Sequence, residues 1–228
     1  MENEILSYLE MCAREGASLQ RGMNSFEGRP YAVILMSVRS DAKYQDRLED
    51  DGATLIYEGH DAPARSGDPD PKSVDQPEAT PAGSLTENGK FHRFAQSYQR
   101  GEVAPRLVRV YEKIRKGIWS FNGHFALTNS WIEHDGRRQV FRFRLEASEV
   151  PAGNGGGEIK LSHRRVIPPA VKLDVWKRDR GKCVKCGSPD ELHFDHILPH
   201  SKGGTSLLTE NVQLLCARHN LMKRDRIE

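Results

Sequence analysis

Two short pairs of metal-ligand residues stand out in the chain, Cys183-Val-Lys-Cys186 and Cys216-Ala-Arg-His219. A gap of two residues lets both side chains of a pair converge on one point. Two such pairs supply four sulfur and nitrogen donors, the set that closes a tetrahedral structural zinc site. Cys183, Cys186 and Cys216 are three of the chain's 4 cysteines, which excludes a disulfide scaffold and predicts a reducing compartment, the cytoplasm. The fourth, Cys12, reads as a small hydrophobe on an apolar stripe. Zinc matters here because a unit of about 60 residues buries too little apolar surface to be comfortably stable alone.

Between the pairs runs Leu192-His-Phe-Asp-His-Ile-Leu-Pro-His-Ser-Lys-Gly-Gly204, and later Glu210-Asn-Val-Gln-Leu-Leu-Cys216. An Asp-His step before an apolar residue and Pro, then Gly-Gly, then Asn ahead of an apolar run, resembles the HNH nuclease family over residues 170–226. The resemblance implies a ββα-metal fold and hydrolysis of DNA phosphodiester bonds. That chemistry needs a base to activate water and a cation to stabilise the phosphorane and the leaving oxyanion. By the same resemblance His196 is the general base, and Asp195 and Asn220 offer hard oxygen ligands to one catalytic divalent ion, magnesium or another. Asn211 would brace the loop carrying His196. The family's usual final cysteine is His219 here, which leaves Asn220 in its His-or-Asn ligand position. His193 and His200 compete as zinc ligands; otherwise His193 packs locally and His200 meets a phosphate. Lys202, Lys223 and Arg224 are expected on phosphates.

The N-terminal two thirds reads as a strand, a polar loop with Tyr44 and Asp46, a strand ending Tyr57-Glu-Gly-His-Asp61, a long polar loop, a helix, and aromatic strands. This order resembles the SRA (SET- and RING-associated) domain family, whose members flip a modified cytosine out of duplex DNA. The matching pieces are Tyr31–Met36, Ile56-Tyr-Glu-Gly59, Leu107-Val-Arg-Val110, Phe121-Asn-Gly-His-Phe-Ala-Leu127 and Val140–Leu145. A flipped base needs aromatic faces on both sides and a carboxylate to accept from the cytosine N4 amino group. Tyr57 takes the place of one stacking aromatic, with Tyr44 and Asp46 as candidates for the other aromatic and the carboxylate. The family's spacing from aromatic to Asp is not reproduced, so Asp41 is the alternative carboxylate. Arg39, Lys43 and Arg47, with Arg142 and Arg144 read as exposed, are expected to grip the DNA backbone, while Trp119 and Trp131 read as core.

The elements that must position these groups follow from periodicity. Ile5, Tyr8, Leu9 and Cys12 recur at helical spacing and predict a helix over 1–25. Strands are expected over Arg29–Arg39, Ala53–Tyr57, Leu107–Tyr111, Gly123–Trp131 and Gln139–Leu145, the last two joined at an Asp135-Gly136 turn. Residues 61–90, with Pro63, Pro69, Pro71, Pro77 and Pro81, predict a long mobile acidic loop before a helix over Phe91–Arg100. Pro151-Ala-Gly-Asn-Gly-Gly-Gly157 reads as a linker, and a helix from Pro168-Pro169 stops at Gly181. The expected class is α+β: a helix over 1–25, an SRA-like twisted β-barrel or sheet with flanking helices over 26–150, a linker over 151–166, and a ββα-metal nuclease over 167–228.

The chain has 228 residues, 37% hydrophobic and 29% charged, with net charge +2. No apolar run approaches a membrane span, and the acidic start is unlike a signal peptide. The charge is unevenly placed: residues 160–228 hold 14 Lys and Arg against 8 Asp and Glu, a net of +6, and the remainder is −4. A basic tail on an acidic body is the pattern of a part that must approach phosphates. The expectation is therefore a modification-dependent endonuclease that flips a modified cytosine, 5-methylcytosine first, in double-stranded DNA. An HNH nuclease reading unmodified DNA and a non-cleaving binder of modified DNA are the alternatives. Each HNH site nicks one strand, which favours a homodimer, with the amphipathic 1–25 helix as the feature to mediate it.

Overall fold

Alternation of apolar and polar residues is strongest between Arg106 and Glu149, and there the chain forms its longest strands: β6 (Arg106–Arg115), β7 (Ile118–His134) and β8 (Gln139–Glu149). In the computed structural model, which describes residues 3–38, 42–63, 66–149, 160–161, 166–199, 202–223 and 226, these three are the antiparallel centre of a larger sheet. The turn after His134 is built as the sequence predicts, with Asp135 Oδ1 accepting from the N–H groups of Arg137 and Arg138 at 2.8 and 3.0 Å.

The other strands assemble around that centre. β3 (Tyr31–Met36) runs parallel to β6 and carries β2 (Met23–Asn24) on its far side. β5 (Thr54–Glu58) pairs with β8 and then with β4 (Arg47–Glu49). β1 (Ile5–Ser7) pairs with β7, and β9 (Lys160–Leu161) with β8. Helix α2 (Glu87–Gln99) lays Phe91 and Ala95 into the main core with Tyr57, Phe125, Phe141 and Phe143. No helix among the described residues is long and apolar enough to cross a membrane.

Three expectations change. The helix expected over 1–25 is confined to α1 (Tyr8–Glu15). Ser7 and Glu10 form a capping box at its start, and Gly16, at φ +55°, stops it by turning its N–H back onto the Cys12 and Ala13 carbonyls. Its apolar residues divide between two faces: Met11 is fully buried with Cys12 packed beside it, while Leu9 stands 77% exposed.

Residues 61–90 are not a loose loop over their described length. Buried Gln76 donates to the Gly59 carbonyl at 2.7 Å and accepts from Phe141 N–H at 2.9 Å. Buried Arg138 reaches in from β8's approach to Asp61 and to the Pro71 and Val74 carbonyls. Polar clamps thus replace the missing apolar contacts, a device that hydrophobic patterning does not register.

Arg142 and Arg144 are not the exposed pair that the sequence predicts. β8 is an interior strand covered on this face, so Arg142 is buried between Glu133 (2.8 Å) and Glu58 (3.1 Å), and Arg144 is tied to Glu146 at 2.9 Å. Lys43 and Arg47 are exposed, while Arg39 lies outside the described residues.

The C-terminal part comprises α3 (Pro169–Arg178), β10 (Leu192–His196), β11 (Val212–Cys216) and α4 (Ala217–Lys223), with β10 and β11 antiparallel. The expected linker lies mostly outside the described residues, but Val166 at its end packs into the main sheet's core. Val171, Val175, Leu192, Phe194 and Leu214 form a second core that also takes in Ile114 from β6. Segment 3–4 joins both parts: Asn3 N–H donates to the Phe121 carbonyl on β7 at 2.7 Å, and its carbonyl accepts from Phe194 N–H on β10 at 3.0 Å.

Candidate functional site

The turn after α3 carries Cys183 and Cys186, while Cys216 ends β11 and His219 sits in the first turn of α4. The four ligand atoms all lie within 4.8 Å of one another. Cys183 Sγ and Cys216 Sγ are 3.5 and 3.3 Å from His219 Nδ1, and Cys186 Sγ is 3.9 Å from Cys216 Sγ. Donors held about 2.0–2.3 Å from one ion stand roughly 3.3–3.8 Å apart at tetrahedral corners, so the donor set and its spacing fit a zinc-like metal. Burial alone would raise the Cys183 thiol, but backbone N–H donors from Cys216, Lys185 and Cys186 outweigh it and bring its pKa down to about 6. His193 is not part of this group: it is buried with Nδ1 against the Glu191 carbonyl at 3.0 Å, so it packs locally. His200 lies outside the described residues.

β10, β11 and α4 make a ββα unit around the Asp-His step. His196 ends β10 half-buried, with Nε2 2.9 Å from Ser206 Oγ. Asn211 lies across from it, its Oδ1 accepting from Leu198 N–H at 2.8 Å and its Nδ2 donating to the Leu198 and Thr205 carbonyls at 3.1 and 2.9 Å. These three bonds close the loop that follows His196. Gly204 completes the loop, since a Cβ there would stand 1.8 Å from the Leu198 carbonyl oxygen.

Asp195 Oδ2 accepts from Gln213 Nε2 at 3.2 Å and from Lys223 Nζ at 3.0 Å. Asn220 is one helical turn before Lys223, so both face the same side of α4. A carboxylate and an amide oxygen suit a hard divalent cation. Lys223 corrects the expectation of a phosphate contact: it is buried, and its Nζ also donates to the His196 carbonyl at 2.6 Å. An ammonium so enclosed cannot reach DNA; it fastens Asp195 and His196 together. Lys202 is exposed, as a phosphate contact requires, and Arg224 lies outside the described residues.

In the N-terminal part, Tyr44, Asp46 and Tyr57 line one cleft of about 1100 Å³. Asp46 accepts from Ser37 N–H at 3.0 Å and Glu58 N–H at 3.1 Å, one bond to each oxygen. Each oxygen therefore keeps a further lone pair. Burial, outweighing these bonds, pushes its carboxyl up to about 7. Burial likewise pushes the Tyr44 phenol up to about 12. Asp41 lies outside the described residues. Trp119, read as core, is half-buried and lines the same cleft, and Trp131 is half-buried with Nε1 donating to Glu133 at 2.8 Å.

Sequence reasoning missed two members of this cleft. The His60 ring stacks on Tyr44 with centroids 5.3 Å apart and sits 2.9 Å from the Tyr57 hydroxyl, and burial holds its pKa near 4, so it is neutral. Its backbone is gripped by Asn88, which accepts from the His60 N–H and donates to its carbonyl, both at 2.8 Å. Gly22 lies against this pair, where a Cβ would come within 2.5 Å of the Tyr57 hydroxyl. Neither had a sequence signal: His60 falls just past the end of β5, and Gly22 reaches the cleft only through the pairing of β2 with β3.

No curated protein matches the chain. Among solved structures it is similar to the SUVH5 SRA domain in a complex with fully methylated CG DNA, at 21% identity and TM-score 0.45 over 70% of this chain and 92% of that one. It is also similar to KRYPTONITE in complex with mCHG DNA and SAH, at 17% identity and TM-score 0.40 over 71% and 34% of the two chains. A third is the DNA modification-dependent restriction endonuclease AspBHI, at 17% identity and TM-score 0.37 over 66% of each chain. Residues 183–226 match the HNH endonuclease family model. That segment, with its metal-ligand cluster and its braced Asp-His strand, is the part of the chain that is similar to HNH endonucleases.

Proposed function

We propose that the chain is a modification-dependent DNA endonuclease in which the N-terminal sheet holds a flipped modified cytosine, 5-methylcytosine first, and the C-terminal ββα unit cuts the backbone. The observation that carries this reading is the convergence of Tyr44, Asp46, Tyr57 and His60 on one cleft in a chain that also carries an HNH site. The half-buried Tyr44 and His60 rings offer aromatic faces, with Tyr57 buried behind them, and Asp46 offers a half-buried acceptor to the N4 amino group. At the cutting site His196 takes a proton from the attacking water, its ring oriented by Ser206 and its loop closed by Asn211. Asp195 and Asn220 would hold a divalent ion, and that ion would supply positive charge to the reacting phosphate. Cys183, Cys186, Cys216 and His219 would hold zinc, which would tie α4 to the hairpin, and a reducing cytoplasm would keep the thiols available. Because one such site cuts one strand, a second copy completes a double-strand break.

Matched methylated and unmethylated plasmids, incubated with protein and magnesium, test the reading. Preferential cutting of the methylated plasmid is expected. Asp46→Asn is expected to lose about 1–3 kcal/mol of that preference, the value of one well-formed base contact. Equal cutting of both plasmids would mean an unmodified target, and binding without cutting would mean a reader alone.

Affinity for the modified duplex is also expected to depend on pH. The free Asp46 carboxyl titrates near 7, and the bound amino group favours its ionised form. Binding therefore releases a proton below that pH, so affinity rises from about pH 6 to about pH 8 and then levels off. His60 is neutral across this window and adds no titration. Fluorescence anisotropy at constant ionic strength reads the slope; an unchanged slope in Asp46→Asn would rule out Asp46 as its source.

A further inference from the structure

Among the described residues, the link between sheet and nuclease contains a pair of charged side chains with no access to water, Lys172 and Glu112. Lys172 of α3 is fully buried, and its Nζ donates to Glu112 Oε2 on β6 at 2.8 Å and to Asn122 Oδ1 on β7 at 2.6 Å. Asn122 Nδ2 closes the triangle by donating to the same Glu112 oxygen at 2.9 Å. Around it Ile114 packs among the apolar residues of the nuclease core, and segment 3–4 bonds to both β7 and β10. Apolar contact holds two surfaces together without specifying their angle. A buried ammonium with two acceptors at fixed positions does specify it, because every other docking angle strands a charge in a dry interior.

We propose that Lys172 is the positioning residue that sets the nuclease at one orientation on the reading sheet, so that cleavage falls at a constant offset from the modified base. This rests on the reading proposed above. Duplex DNA is stiff over the few helical turns involved, with a persistence length of about 150 base pairs, so a fixed angle between the two sites translates into a fixed number of nucleotides.

The test uses the full chain and linear duplexes that carry a single 5-methylcytosine at varied positions, with cut sites mapped on both strands at nucleotide resolution. The unaltered protein is expected to cut at one dominant offset wherever the modification is moved. The double variant Lys172→Met/Glu112→Leu exchanges the ion pair for apolar side chains of similar size, a replacement that buried pairs often tolerate. It is expected to melt cooperatively, to cut at a rate within about threefold of the parent, and to spread its cuts over several neighbouring positions. Scattered cuts by the unaltered protein would overturn the inference, as would a folded double variant that keeps one sharp offset. Should the double variant fail to fold, Asn122→Ala, which removes one of the two acceptors of Lys172, is mapped in its place, and one sharp offset there would overturn the inference. Loss of any preference for methylated duplex in the unaltered protein would instead sink the functional reading itself, so the two failures are distinguishable.

Discussion

Replacing His196 by alanine is expected to lower the single-turnover cleavage rate by about 10²- to 10⁴-fold, the usual range for removing a general base, while leaving affinity for modified duplex unchanged. The separation of the two effects follows from the placement of the groups. His196 sits at the end of β10 against Ser206, whereas the residues proposed to hold the base line a cleft in the other part of the chain. The substitution also leaves the local frame intact, because Lys223 bonds to the backbone carbonyl of residue 196 and Asn211 bonds to the loop beyond it. The variant should therefore melt like the parent. Undiminished cleavage would remove His196 from the mechanism. A rate that falls together with Tm would show that the histidine supports the fold instead. Ser206→Ala should cost less than His196→Ala, since it frees the ring's orientation without removing its base.

Stripping the metal from the Cys183, Cys186, Cys216 and His219 cluster is expected to abolish cleavage and unfold α4 and the β10–β11 hairpin, while selective binding persists. Structural zinc in small units contributes on the order of 10–16 kcal/mol of apparent binding energy, more than the whole stability of most domains. The cluster joins the turn after α3 to the end of β11 and the start of α4, so its loss frees the helix that carries Asn220 and Lys223. Lys223 then no longer fastens Asp195 to His196. The main sheet has its own core of Tyr57, Phe91, Phe125 and Phe143 and should stay folded. Elemental analysis before and after chelation, near-UV circular dichroism and a binding assay read the three parts of this outcome. Zinc with magnesium should restore cutting and magnesium alone should not; full activity after stoichiometric metal removal would refute the role given to the cluster.

Much of the cutting site was legible in the sequence because its residues are local. Cys183 and Cys186, Cys216 and His219, and Asp195 and His196 are each brought together by short spacing on a strand or turn. Lys223 was misjudged for the opposite reason. A lysine near a helix end in a basic segment is normally solvated, and only the packing of α4 over β10 encloses it. Arg142 shows the same limit, since alternation along β8 assigns it a face without saying that Glu58 and Glu133 cover that face. The strands from Arg106 to Glu149 were readable because alternation is strong there, and β1 and β2 were not because two- and three-residue strands carry no period. The pinned stretch before α2 was unreadable for a chemical reason: Gln76, Asn88 and Arg138 order it by hydrogen bonds whose partners lie far away in sequence.

The bridging of β7 and β10 by segment 3–4 has a consequence for how the molecule comes together. Asn3 and Phe194 stand near opposite ends of the chain, and their bond closes one of its longest loops. The entropy of closure grows only with the logarithm of loop length, so the bond adds little thermodynamic burden. Its effect on time is larger, because contacts between distant positions form slowly. The sheet and the hairpin can each assemble from nearer partners before this strand finds both of them. The joint is then expected to close late, adding to the contacts by which Lys172 and Ile114 already hold the nuclease core against the sheet.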